Sequence, residues 1–580
     1  MMPEHMDPHV PSQEDLLIRS ITTLLHLLQP PVSAPPAEDE SYHAFRQLLD
    51  RITLLFVREA AAGEAYAVSI SHSLGHTLLY LCPNAPRSEP KSPTHQPFHF
   101  DSQWLENILH RGGLSTAEHA ACLEHLVNRL NAKSPETVTE LLHYVYFFSC
   151  RKLKKRLEKM LRGKSFVAAL AAIDSKAAAA KISSYFPAVE PRLIRNDEAW
   201  MQQYAEYGLG LKLKFKQLHL PDRVVKHVDL SDAASIAVVV GMAHAIVDCV
   251  HTHISRICEF SKARVPEEQV AGFAKEIHEC LRRIQSLAEI LRLMVNSLSL
   301  RRILRVVPDG SDILKWLLKI SQWEMAICEL AGPAAHRHLQ TLPLRIFVLQ
   351  PPTLSHPKSM APLDATISAV FGPDPRIVHN AKKYLATLAR NDSPYARNNN
   401  RRLWRCILDW ANGWKADGFW WERPAWEAAF LGTVHCEATT ATVRFAGMGV
   451  HPASSRDQVV EKMAHCNPTL GLSKRPCLTC VAYINDLLSS SSQPSELEPI
   501  EFSTTNGKCH PWAVPAFCPP RVTHKMLESV KSMLDKVLRV HVDVDVDEGG
   551  GEENRNVAVV HHSIVPRFIR DLEGVIKRGF

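Results

Sequence analysis

The sequence predicts a multi-domain α+β chain, all-α in its first part and mixed α and β beyond it. Two observations carry that expectation. Helical periodicity runs through the first 340 residues, and a β-prone, tryptophan-rich stretch follows. At 580 residues and 65.1 kDa the chain also exceeds what one core supports. With 46% hydrophobic and 22% charged residues, the composition is that of a globular protein, which excludes disordered and fibrous classes. The net charge of +6 permits a nucleic-acid partner without arguing for one.

From the N-terminus, "MMPEHMDPHV" lacks a basic segment followed by an apolar run, so no signal peptide is expected. Fourteen cysteines without such a leader are expected to stay reduced, most of them, such as Cys122, Cys280 and Cys328, as core residues. The expected setting is intracellular, cytoplasmic or nuclear. Proline-rich "QPPVSAPPAEDE" and "PNAPRSEPKSPTHQP" read as loops between helices. "ACLEHLVNRL" places Leu123, Leu126, Val127 and Leu130 on one helix face. "AASIAVVVGMAHAIVDCV" is the best membrane-span candidate, but His244 and Asp248 interrupt it and favour a buried helix. No membrane association is expected. "ECLRRIQSLAEILRLMVNSL" repeats the helical pattern with Leu281, Ile284, Leu287, Leu291, Met294 and Leu298. These elements make up a helical region, residues 1–340, for which a protein partner stays open.

The character changes at "LPLRIFVLQPP", where Arg345 to Leu349 form a short β-prone run ending in prolines. Residues 341–520 mix helices, strands and loops, with six of the eleven tryptophans between Trp404 and Trp426. Residues 521–580 read as an amphipathic helix, with Met526, Val530, Met533 and Val537 on one side, and then a hairpin. Asp543, Asp545 and Asp547 suggest a calcium loop, but Glu548 and Asn554 stand where glycine and a closing glutamate are required.

The chemistry-bearing motif lies in the middle part. "LSKRPCLTC" holds Cys477 and Cys480, and "TVHCEATT" holds His435 and Glu437. Alone, CxxC fits a zinc half-site, a thiol-disulfide pair or coincidence. His-x-Glu followed by Pro-Cys-x-x-Cys is the signature of zinc-dependent nucleobase deaminases. A catalytic zinc takes three protein ligands and keeps a fourth position open, which His435, Cys477 and Cys480 would supply. CxxC at a helix start puts both sulfurs on one side, where the N-terminus favours thiolate, and Pro476 suits the position ahead of that turn. Val481, Ile484, Leu487 and Leu488 of the following helix would face a sheet. Glu437 need not bind metal and can serve as the general acid–base.

"VHCEATTATV", "GLSKRPCLTC" and "TTNGKCHPWAVP" together resemble a deaminase family of fungi and some intracellular bacteria, within the cytidine-deaminase-like superfamily. The resemblance implies a three-layer α/β/α domain, with each motif at the start of a helix packed on one sheet. It also implies His435, Cys477 and Cys480 as Zn2+ ligands and Glu437 as the proton shuttle. The expected activity is hydrolytic deamination of a nucleobase, free, as nucleoside or nucleotide, or within DNA or RNA.

Blander readings stand beside this one. Cys477 and Cys480 could join Cys466, Cys509 or His510 in a closed structural zinc site. The domain would then be a catalytically silent scaffold acting as a binding module. Thiol-disulfide exchange leaves His435 and Glu437 unexplained, and Cys436 is expected to point into a core. The basic run of Lys152, Lys155, Arg156 and Lys159 reads as the solvated face of a helix buried through Leu153, Leu157 and Met160. Arg401, Arg402 and Arg405 beside Trp404 and Trp410 could meet single-stranded nucleic acid, though such tryptophans more often pack a core. "GLGLKL" has Leu213 where a dinucleotide loop needs glycine.

Overall fold

A computed structural model describes residues 11–28, 44–58, 65–73, 76–84, 99–111, 114–130, 135–162, 173–185, 191–206, 215–220, 223–261, 266–307, 310–332, 343–349, 358–390, 401–411, 426–430, 432–447, 463, 466–474, 476–489, 500, 508–515 and 518–542. The chain is mostly helical with a small mixed sheet of four strands, an α+β class. Helices α1 (Gln13–Leu28) and α2 (Ala44–Leu55) precede a hairpin, β1 (Tyr66–Ser73) and β2 (His76–Pro83). Next come α3 (Ser102–Arg111), α4 (Thr116–Leu130), α5 (Pro135–Arg162), α6 (Ser175–Tyr185) and α7 (Pro191–Glu206). A second hairpin, β3 (Phe215–Leu220) and β4 (Arg223–Val228), leads into α8 (Ala233–Phe260), α9 (Val270–Val295), α10 (Leu298–Val306) and α11 (Gly310–Leu330). Beyond strand β5 (Leu344–Val348) lie α12 (Leu363–Phe371), α13 (Pro375–Arg390) and α14 (Arg401–Ala411). They are followed by α15 (Cys436–Gly447), the short strand β6 (Gly471–Leu472), α16 (Leu478–Ser489) and α17 (Pro520–Val542).

Two large apolar cores organise these elements. The first joins α2 through α11 and one face of the sheet. Its pattern follows the spacing read from the sequence: Leu123, Leu126 and Leu130 of α4 are buried, as are Leu281, Ile284, Leu291 and Met294 of α9. Leu153, Leu157 and Met160 of α5 join them, while Arg156 lies over the Trp323 ring, 4.9 Å from its centroid, and donates to the Lys319 carbonyl. Helix α8 is long and apolar enough to cross a membrane by length and composition alone, and half of its apolar window is buried in this core. The second core joins α1 with α12 through α17. In α17, Val522, Met526, Leu527, Val530, Leu534 and Leu538 are buried. Each contributes about 1.5–3 kcal/mol relative to exposure. Trp404 also packs in this core.

The sheet has the order β5-β2-β1-β6, with β2–β5 parallel and the other pairs antiparallel. Side chains alternate across it. Val68, Ile70, Leu79 and Leu81 enter the first core. Ala67 and Cys82 meet Cys436 and Leu472 on the opposite face, and Leu78 and Tyr80 meet Met463 and Cys466 there. Helix α4 closes the outer edge of β5. Asn128 pairs with both the N–H and C=O of Leu344, at 2.7 and 2.9 Å, and Glu124 accepts the Ile346 N–H at 2.7 Å.

The part read as all-α therefore carries two hairpins. β2 is buried on both faces, and a strand of that kind shows an apolar run, here Leu78 to Cys82, that periodicity cannot separate from a helix. Helix α1 packs on α12 and α17, against the later part of the chain. Helix α16 also departs from expectation. Instead of facing a sheet, Ile484 and Leu487 enter the second core, where α16 packs on α15 and α17. The hairpin expected after residue 542, with Asp543, Asp545 and Asp547, lies outside the described residues, as do the "GLGLKL" stretch, the first proline-rich loop and the part of the second beyond Asn84.

Candidate metal centre

Two helix N-termini meet at the motif. His435 immediately precedes α15 and its carbonyl accepts the Thr439 N–H at 3.0 Å, so it caps that helix. Cys477 stands in the same place ahead of α16. Its carbonyl accepts the Val481 N–H at 3.1 Å, and its sulfur accepts the Cys480 N–H at 3.4 Å, the role of an N-cap side chain. Cys480 follows one turn later, so both sulfurs lie at the positive end of the α16 dipole. A buried hydrogen bond between Thr442 Oγ1 and Tyr483 Oη, at 2.7 Å, braces α15 against α16.

His435 Nδ1 lies 3.2 Å from Cys480 Sγ and 3.5 Å from Cys477 Sγ. The three ligand atoms lie within 4.8 Å of one another, and among the described residues this is the group placed to hold a metal ion. Cys477 and Cys480 are buried, while His435 keeps part of its surface accessible. Burial opposes a charge on Cys477, yet the Cys480 thiol and the His435 imidazole beside it hold its thiol well below the ordinary range. Cys480 is pushed the other way, by burial and then by Cys477. Burial also works against a charged His435. The Cys477 thiolate, Glu437 and a hydrogen bond to the Pro511 carbonyl outweigh it and raise the ring to about 9. The donor set is thus a charged cluster in which a cation would displace protons.

Glu437 occupies the first turn of α15, next to His435 but outside the donor group. It is buried, and burial raises its pKa while His435 pulls the other way. Cys436 points to the sheet, against Ala67, Cys82 and Leu472, and its sulfur lies 3.2 Å from Glu437 Oε2. Of the rival ligands, Cys466 packs with Leu78, Tyr80 and Met463 on the sheet, while Cys509 shares the second core with Cys477 and Cys480 but falls outside the group of ligand atoms that lie within 4.8 Å of one another. His510 stands near the donor set, its ring 6.4 Å from that of His435 and 5.3 Å from that of His26. Burial holds His510 down to about 4.

Residues 508–514 frame the site. The Lys508 carbonyl accepts the Leu478 N–H at 2.9 Å, between the two cysteines. Thr433 and Trp512 form a parallel β-bridge, and the Ala513 N–H donates to the Thr433 carbonyl. Gly432 permits this approach, since a Cβ there would stand 2.5 Å from the Pro511 oxygen. "TTNGKCHPWAVP" was legible as part of the motif set, but nothing local in it signals these contacts. No family model, curated protein or solved structure matches the chain.

Proposed function

We propose that the chain is a zinc-dependent hydrolase that deaminates a nucleobase, presented free, as a nucleoside or nucleotide, or within DNA or RNA. One observation carries the reading. A donor set of one imidazole and two thiols is paired with a buried carboxyl, Glu437, on the helix that His435 caps. Two thiolates and an imidazole suit zinc, and three protein ligands leave one coordination position open. A zinc ion held by His435, Cys477 and Cys480 would supply Lewis acidity, bringing the pKa of water toward neutrality.

The chain's own residues would do the rest. Glu437 accepts a proton from the attacking water and delivers it to the ring nitrogen of the base. It then carries the second proton to the exocyclic amine, the C–N bond breaks, ammonia leaves and a carbonyl forms. Burial raises the pKa of Glu437, which suits a group that must both take and return a proton. His435 and the cysteines hold their positions because each sits at the start of a braced helix. The same proposal includes a three-layer α/β/α arrangement in which α15 covers one face of the sheet and α2 the other.

Zinc-loaded protein should release ammonia from at least one of cytidine, adenosine, single-stranded DNA and RNA. One equivalent of bound zinc with no ammonia from any of the four would overturn the enzyme reading in favour of a binding module.

A further inference from the structure

The donor set is framed by a segment that is itself held by a helix almost five hundred residues away in sequence. Segment 508–514 touches both halves of the set: the Lys508 carbonyl caps α16 at Leu478, and the Pro511 carbonyl accepts a hydrogen bond from the His435 ring. Along its other side the segment meets one stripe of α1. Thr22 Oγ1 accepts the Trp512 N–H at 3.1 Å, while its own proton returns to the Ile18 carbonyl at 2.8 Å. His26 Nδ1 donates to the Cys509 carbonyl at 3.0 Å, and Asp15 Oδ1 accepts the Val514 N–H at 3.0 Å. The spacing of 15, 22 and 26 puts these three polar groups on one face of α1. Asp15 is fixed in turn by its ion pair with Arg19, at 2.6 Å, with both residues buried.

We infer that α1 is a positioning element of the metal centre: Asp15, Thr22 and His26 set the register of 508–514, and through it the placement of the His435 ring and the start of α16. The inference rests on the metal reading proposed above. Its physical basis is that Trp512 is fully buried, so its N–H has no water to turn to if the Thr22 oxygen is removed. The segment must then shift or leave that donor unpaired, and either outcome moves the partner carbonyl of His435. Partners of this kind, which orient a ligand without binding the metal, set affinity as well as geometry.

The test uses the full chain. Zinc affinity is measured by competition with a chromophoric chelator, and geometry by the visible spectrum of the cobalt(II) form. Thr22→Val keeps the shape and removes the acceptor. It should weaken zinc binding by about 10- to 100-fold and shift the cobalt bands, and Thr22→Ser should restore both. Thr53→Val is the control for a structural cost alone, because buried Thr53 in α2 makes the same back-bond, to Leu49 at 2.6 Å, in the other core. It should lower the melting temperature with the zinc affinity and cobalt spectrum of the wild type. Should Thr22→Val fail to fold, His26→Ala, at a partly exposed position, should weaken zinc binding in the same direction. Wild-type affinity and an unshifted cobalt spectrum in whichever of the two variants folds would overturn the inference while leaving the metal centre standing. A wild-type chain that binds neither zinc nor cobalt would overturn the metal reading and the inference together.

Discussion

Each of the two cores buries a glutamate, and the two are held differently. Glu324 of α11 is 3% exposed in the helical core, with Tyr146 Oη 3.5 Å and Cys328 Sγ 3.9 Å from its carboxyl. Burial raises it to about 7, against the opposing pull of Arg292. Glu437 is 7% exposed and is also raised first by burial. Its neighbours, however, are a histidine and two cysteines converging at two helix N-termini. Burial alone perturbs a carboxyl and says nothing of chemistry. A metal-capable donor set beside it is what distinguishes the second region.

The largest expected effect breaks that donor set. Cys477→Ser should reduce bound zinc from one equivalent to nearly none after dialysis against a chelator, with a lower melting temperature because the ion ties two helices together. Cys280→Ser, at a buried cysteine of the helical core, should keep its zinc. Equal zinc content in both variants would erase the contrast.

Next in size is the exchange of each glutamate for glutamine. Glu437→Gln should lower turnover by a factor on the order of 10² to 10⁴ with the melting temperature near wild type, the usual contribution of general acid–base catalysis. Glu324→Gln should leave turnover unchanged. Wild-type turnover in Glu437→Gln would remove Glu437 from the mechanism.

Glu324→Gln instead sharpens the comparison through pH. The folded-state pKa of Glu324, about 7, lies above its ordinary value of 4.5. The folded chain therefore binds this proton more tightly than the unfolded one. The stability it contributes is fully present below about pH 4.5 and is lost as pH rises through 7. The shift corresponds to on the order of 3 kcal/mol. Urea unfolding from pH 4.5 to 8 should show the wild type losing stability by that amount relative to Glu324→Gln, and parallel curves would contradict it.

The smallest effect is at the brace between the ligand helices. Tyr483→Phe removes one hydrogen bond, but Thr442 keeps its bond to the Ala438 carbonyl at 2.7 Å. The cost should be about 1 kcal/mol by denaturant unfolding, with zinc retained.

Much of this was legible in the sequence because it is local. The apolar spacings of α4, α9 and α17, the β-prone run of β5 and the order of His435, Glu437, Cys477 and Cys480 each lie within one short stretch. What escaped depends on distant partners. β1 and β2 alternate clearly only once β5 and β6 define the two faces of the sheet, and those strands lie hundreds of residues away. Leu487 suits a sheet or a helix equally, and only the docking of α17 decides. The polar stripe of Asp15, Thr22 and His26 carries no local signal of its role, because its partners sit near residue 510.

The central claim, an open centre of one histidine and two cysteines, is tested most directly by zinc-edge X-ray absorption on the purified chain. The expected first shell is two sulfurs at about 2.3 Å and two nitrogen or oxygen atoms at about 2.0–2.2 Å, with one zinc per chain. Three or four sulfurs around the zinc, drawing in Cys466 or Cys509, or a chain that holds no zinc, would contradict it.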